Sequence, residues 1–417
     1  MPKYFVHSSF FFLVITALTG IWMRLFTLST DAQTLPYDHI LHAHSHVAVL
    51  GWTFLAALII YFHITWDQIA KKRQAIAIVI TTFLITLAMF LAFLWQGYAL
   101  FSIIFSSLHI IIEYWAILFV FRSLKTTSNM PILSRWYIKG ALISLLISSI
   151  GPWSLGAIAS QGLKESPIFD MAIYFYLHFQ YNGWLYFMLI GLFIFVLTKR
   201  GIKIRSKLVS FSFWISIVAL FPGYLLSILW ANVGMIGILF AWIGAIGQMI
   251  GVILISIVFF SARRAIISTF GSKINKFLIL VFLLLLTKGA MELGLLHIPF
   301  AELIYETRSV VIGYLHLTFL GFISFLLISL FLMTNILERT SNNVWNGLLV
   351  FLLGFFLNEF ILFISGLLSW VSDRSFYLQN ELLLVASILL TIGTLLLWTS
   401  FQRRKNLSRG PFPVERS

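Results

Sequence analysis

The chain has 417 residues, 60% of them hydrophobic and only 10% charged, and 28 Lys and Arg against 14 Asp and Glu give a net charge of +14. An average soluble domain carries about 25% charged residues, so a soluble globular domain is excluded, and a mean hydropathy of +0.98 excludes disorder. There is no Cys, which removes disulfides, Cys-ligated iron–sulfur clusters and thiol nucleophiles.

A helix that crosses a bilayer needs about 20 mostly apolar residues. Runs between charged or Gly/Pro-containing breaks predict twelve, at 5–27, 42–63, 74–95, 98–122, 138–160, 171–197, 208–229, 234–260, 276–297, 309–334, 344–367 and 378–401. The first is too long for a signal peptide and lacks a small-residue cleavage site, so it reads as a retained helix. The expected fold is an all-α integral membrane protein, one membrane domain over residues 1–417 with a short basic cytoplasmic tail at 403–417. With the N-terminus placed inside, 23 of the 28 Lys and Arg fall on the inner side, against Arg24, Lys164, Lys288, Arg308 and Arg374 toward the other. That bias puts both termini in the cytoplasm, and the expected location is a bacterial inner membrane. It also accounts for the basic excess without any nucleic acid.

The sequence repeats three times. His46-Val-Ala-Val-Leu-Gly51-Trp52 opens span 2, His178-Phe-Gln-Tyr-Asn-Gly183-Trp184 opens span 6, and His316-Leu-Thr-Phe-Leu-Gly321-Phe322 opens span 10. Each is a His, four residues, a Gly and a large aromatic, and successive motifs are four helices apart. Gly20, Gly151 and Gly289 precede the three histidines by 26, 27 and 27 residues, and Trp95, Trp230 and Trp370 follow them by 49, 52 and 54. Three landmarks in register predict three four-helix units, at about 1–130, 131–270 and 271–402, around a pseudo-threefold axis. The histidines then sit near the outer ends of their spans, roughly 10 Å below the interface.

An imidazole inside a span is costly enough to suggest function. Neutral imidazole is an axial ligand for haem iron and also binds copper and zinc. Span 2 carries His39, His42, His44 and His46 within eight residues. Residues two apart point about 200° apart on a helix, so His44 and His46 serve different inter-helix pockets. His39, His42 and His46 share a face by their +3 and +4 spacing, which gives a second expectation, a zinc or copper site at the outer interface.

The stretch His44-x-His46-x4-Gly51-Trp52 resembles the haem-bearing tenth helix of haem–copper oxidase subunit I, nearest the nitric-oxide-reductase and C-type oxidase branches and the NnrS-like relatives. The resemblance implies a twelve-helix, pseudo-threefold architecture with cytoplasmic termini. It implies one or two haem b groups held among His44, His46, His178 and His316, with copper or another metal as an added option. Two pairings stay open: by family position His46 pairs with His316, and by motif His46 pairs with His178. Arg374, beside Asp373, matches the arginines that hold haem propionates, and Arg24 and Arg308 are other candidates. The copper site of the family departs here. Span 7 has no His, span 6 reads His178-Phe-Gln-Tyr181-Asn in place of His-Pro-Glu-Val-Tyr, and span 10 has one His where the family has two.

The function so implied is haem-based electron transfer, or nitric oxide or oxygen handling, without the full copper site. If the protein is an enzyme, it is an oxidoreductase acting on one of these gases. Its expected partners are membrane lipids and a small diatomic gas or an electron donor. The alternatives are a transporter, or a copper- or zinc-handling protein that uses the His39–His46 cluster. Three further features stand out. Lys288 and Glu292 have the spacing of a same-face ion pair. His109 and Glu113 repeat that spacing in mid-span, for a proton relay or a helix–helix hydrogen bond. Glu359 is a third buried acid.

Overall fold

The computed structural model describes residues 1–372 and 376–402; Arg374 and the tail 403–417 lie outside them. Every regular element among the described residues is helical. Backbone N–H and C=O groups find no partner in lipid, so a chain this apolar satisfies them within helices. Twelve helices among the described residues are long and apolar enough to cross a membrane: Tyr4–Leu28, Tyr37–Gln68, Lys72–Gln96, Leu100–Thr126, Ile132–Ser160, Pro167–Lys199, Ser206–Ala231, Gly234–Phe270, Ser272–Gly294, Arg308–Met333, Asn342–Val371 and Gln379–Phe401. They are spans 1–12 below, and the protein is an all-α multi-pass membrane protein.

Each predicted span has its helix, but the helices overrun the apolar runs. Span 8 continues through Arg263 and Arg264 to Phe270. Span 2 begins at Tyr37, which brings all four of its clustered histidines onto the helix. A short helix, Ile298–Glu306, lies between spans 9 and 10.

The chain divides into two compact units, residues 1–127 with 330–417, and residues 128–329. In the first, span 1 lies against spans 2 and 12, span 3 against span 4, and span 11 against span 12. Glycine makes the last contact close: a Cβ at Gly393 would stand 2.6 Å from the Phe351 nitrogen. In the second unit, span 5 lies along span 6, and span 8 packs against spans 7 and 9.

The three motif-bearing spans differ from the rest. Spans 2, 6 and 10 are 89%, 89% and 78% buried over their most apolar stretches, and no other span exceeds 50%. Each also changes its winding at the same register. The α-helix runs to His46, His178 and His316, and the next seven residues, Val47–Thr53, Phe179–Leu185 and Leu317–Ile323, are π-helical. A π-turn widens the helix and recurs at functional sites. Hydroxyl groups help its carbonyls: Thr53 Oγ1 donates to Val49 O and Ser324 Oγ to Phe319 O, each at 2.7 Å.

The residue two before each motif histidine contacts the span that precedes its own. His44 meets Thr19 and Gly20, Tyr176 meets Gly151, and Tyr314 meets Glu292. The motif glycines let the same pairs of helices approach. A Cβ at Gly51 would stand 2.8 Å from Phe12 Cγ, and one at Gly183 2.6 Å from Ser144 Cβ. Gly183→Ala is therefore expected to cost about 1–3 kcal/mol of stability by overpacking. The check is a thermal melt in detergent, and an unchanged midpoint would show that the approach of spans 5 and 6 is slack.

Candidate functional site

In the first unit, span 2 presents its histidines on two sides. His39, His42 and His46 face span 3 and the turn after it. His39 Nδ1–H donates to Leu94 O at 3.1 Å. Its ring also lies where a Cβ at Gly97 would sit, and Gly97 has a φ of +61° that suits glycine. The His46 ring lies 4.3 Å from the Phe93 ring, and His42 lies 5.1 Å from the Tyr98 ring. The His42 and His46 centroids are 6.3 Å apart. His44 turns the other way, toward span 1, where Gly20 leaves room beside its ring. Arg24, one turn beyond Gly20, is half-buried.

Partner chemistry fixes the tautomers, because a carbonyl oxygen only accepts. His46 Nδ1–H donates to His42 O at 2.9 Å. Thr19 spends its single hydroxyl proton on the carbonyls of Ile15 and Thr16, both at 2.9 Å, so its oxygen accepts from His44 Nδ1–H at 3.0 Å. His44 and His46 thus each carry their lone pair on Nε2. This is how a ligating imidazole is held: one nitrogen anchored as a donor, the other available to an electrophile. Both rings are half-buried, as are most residues of the first three turns of span 2. His109 on span 4 has the same form. Its Nδ1–H donates to Glu113 Oε1 at 3.0 Å, and its buried Nε2 has no partner among the described residues. The His109–Glu113 bond lies within one helix, so it is not the helix–helix bond that was the alternative to a relay. Glu359 accepts from Asn358 at 3.0 Å, and its other oxygen is buried with no partner among the described residues.

His178, in the second unit, is bound differently. Its Nε2–H donates to Leu220 O on span 7 at 2.8 Å, and its Nδ1 accepts from Asn182 Nδ2 at 3.3 Å. Both ring nitrogens are committed to protein. Asn182 carries the chain onward: it donates to Glu292 Oε1 at 3.1 Å and accepts from Lys288 Nζ at 2.5 Å. Lys288 and Glu292 form the expected ion pair at 2.7 Å, and Tyr314 O–H donates to Glu292 at 2.7 Å. Lys288 also lies 5.3 Å from the Tyr181 ring and 5.8 Å from that of Tyr314, within cation–π range. A small cavity of about 20 Å³ adjoins the pair, and the buried side chains of Tyr186 and Ser216 line it. Its size suits a single water.

His316 ends the α-helical part of span 10 and is half-buried. Arg308 begins that helix, and Arg374 lies outside the described residues. Among the described residues no group of three or more His, Cys, Asp or Glu side chains gathers to hold a metal. His39, His42 and His46 share a face, but each ring is engaged with its own neighbours on span 3 or span 2. No protein-family model matches the chain, and no curated protein does either.

Sequence reasoning missed three things here. The polar chain from His178 through Asn182 to Tyr314 joins three spans, and its one sequence signal was the i, i+4 pair. The π-helical turns and the anchoring of each imidazole had no signal in composition. A second, larger cavity, lined by tyrosines and aliphatic side chains, was also unforeseen.

Proposed function

We propose that this protein is a haem-binding membrane protein that works in electron transfer or in nitric oxide or oxygen handling. It sits in a bacterial inner membrane, and the distribution of Lys and Arg favours cytoplasmic termini. The observation that carries the reading is the tautomer of span 2. His44 and His46 hold Nδ1–H on fixed acceptors and keep Nε2 lone pairs for a ligand. That donor chemistry fits haem iron, and His44 and His46 are the residues that would hold it. Bound haem supplies one-electron chemistry and a position for a diatomic gas. The surrounding chain orients the rings: Thr19 and the His42 carbonyl fix them, Phe93 packs on one, and Gly20 keeps space beside the other.

The commitment of both His178 nitrogens supports a site without the full copper set, as do the missing histidines of span 7. The test is the ultraviolet–visible spectrum of protein purified from cells supplied with haem, oxidised and reduced, with and without nitric oxide. A Soret band that shifts on reduction is expected. A colourless protein rejects the reading.

A further inference from the structure

We infer that the larger cavity of the second unit binds an organic cation of the quaternary-ammonium class. The inference is independent of haem. The cavity measures about 230 Å³. Span 6 contributes Asp170, Ile173, Tyr174, Leu177 and Tyr181 to it, span 10 contributes Val311, Tyr314 and Leu315, and the short helix before span 10 contributes Tyr305.

Its charge is one-sided. Asp170 is half-buried and accepts from the Tyr305 hydroxyl at 3.2 Å. It belongs to neither of the two ion pairs found among the described residues. Among the described residues no Lys or Arg lines the space, and Lys288 is engaged by Glu292 and Asn182. Asp170 therefore places an acceptor-only carboxylate at the edge of a largely apolar space. The rings are also held in place. Tyr305 stacks on Trp230 at 4.3 Å and 9°, and Tyr174 lies 5.9 Å from Trp230 and 6.2 Å from Tyr305.

The lining decides what kind of cation. Ile173, Leu177, Val311 and Leu315 offer no oxygen to replace the hydration shell of an inorganic ion. They do offer apolar contact to methyl groups, while the tyrosine rings and one carboxylate among the lining residues suit a diffuse positive charge. That combination is how aromatic cages recognise quaternary ammonium. The group could arrive on a free solute or on a lipid headgroup, since the cavity lies where spans 6 and 10 begin.

The experiment is calorimetric titration of the full-length protein in uncharged detergent with tetramethylammonium chloride. Saturable binding is expected. Asp170→Asn and Tyr305→Leu should each weaken it by about tenfold or more, while Glu302→Gln, an exposed change outside the cavity, leaves it unaltered. The neutral isostere 3,3-dimethylbutan-1-ol, tested on the unaltered protein, should bind at least as weakly as the Asp170→Asn comparison. No saturable heat, equal binding of the isostere, or full binding by folded Asp170→Asn overturns the inference. Repeating the titration in nanodiscs separates the sources. Loss of tetramethylammonium binding in phosphatidylcholine but not in phosphatidylglycerol identifies a lipid headgroup, and equal binding in both identifies a free solute. The Soret measurement is unaffected by any of these results.

Discussion

Lys288→Met is expected to destabilise the protein by about 3–5 kcal/mol, the cost of leaving one member of a buried pair without its partner. Lys288 and Glu292 are 5% and 9% exposed, so water does little to compensate. The loss spreads. Glu292 keeps the Tyr314 and Asn182 donors but no counter-charge, and Asn182 Oδ1 loses the ammonium it accepts from. The double variant Lys288→Met with Glu292→Leu should recover a large part of the loss, because replacing both charges of a buried pair with apolar side chains is often neutral or better. Recovery will be incomplete, since the Tyr314 hydroxyl and the Asn182 amide lose acceptors. Denaturant unfolding in mild detergent reads both variants. If the single and double changes cost the same, the pair is not a coupled unit. If the single change costs less than about 1 kcal/mol, the site is hydrated well enough to behave like a surface pair.

That ion pair shows what the sequence could and could not disclose. Residues four apart on a helix share a face, so the pair was legible from numbering alone. Its extension to Asn182 and Tyr314 was not, because it depends on how spans 6 and 10 are rotated toward span 9. The number of spans was legible for a similar reason: an apolar run of about 20 residues marks a stretch long enough to cross the bilayer, whether it faces lipid or protein. The helix ends were not, since a helix such as span 8 continues past Arg263 and Arg264 where hydropathy gives out. The His-x4-Gly-aromatic repeat marked the three spans that prove most buried. It did not reveal the π-turns, which differ from α-turns in hydrogen-bond partner rather than composition. Tautomers were hidden for another reason. The anchors of His39, His46 and His178 are backbone carbonyls, which every residue supplies. The tyrosines around Asp170 read as ordinary interfacial aromatics, and only their convergence on one carboxylate distinguishes them.

His46→Ala and His178→Ala are expected to fail in opposite ways, which makes the comparison more informative than either alone. His46 keeps its Nε2 lone pair uncommitted while Nδ1–H rests on His42 O, so on the haem reading its removal abolishes most of the Soret absorbance. Its stability cost should be small, because the one hydrogen bond lost is to a carbonyl of the same helix. His178 is the reverse. It donates to Leu220 O, accepts from Asn182 and is buried, so its loss leaves a buried carbonyl and an amide N–H without partners. A group left unsatisfied in this way costs about 1–3 kcal/mol, and the melting temperature should fall while the Soret band persists. Thr19→Val adds a graded case. It removes the oxygen that fixes His44 without touching a ring, and loss of such a supporting group typically weakens a ligand site by about 10–100-fold. Haem retention during gel filtration measures that effect. A Soret band that survives in His46→Ala and disappears in His178→Ala would reverse the assignment. It would require the His178 imidazole to break from Leu220 before it binds anything.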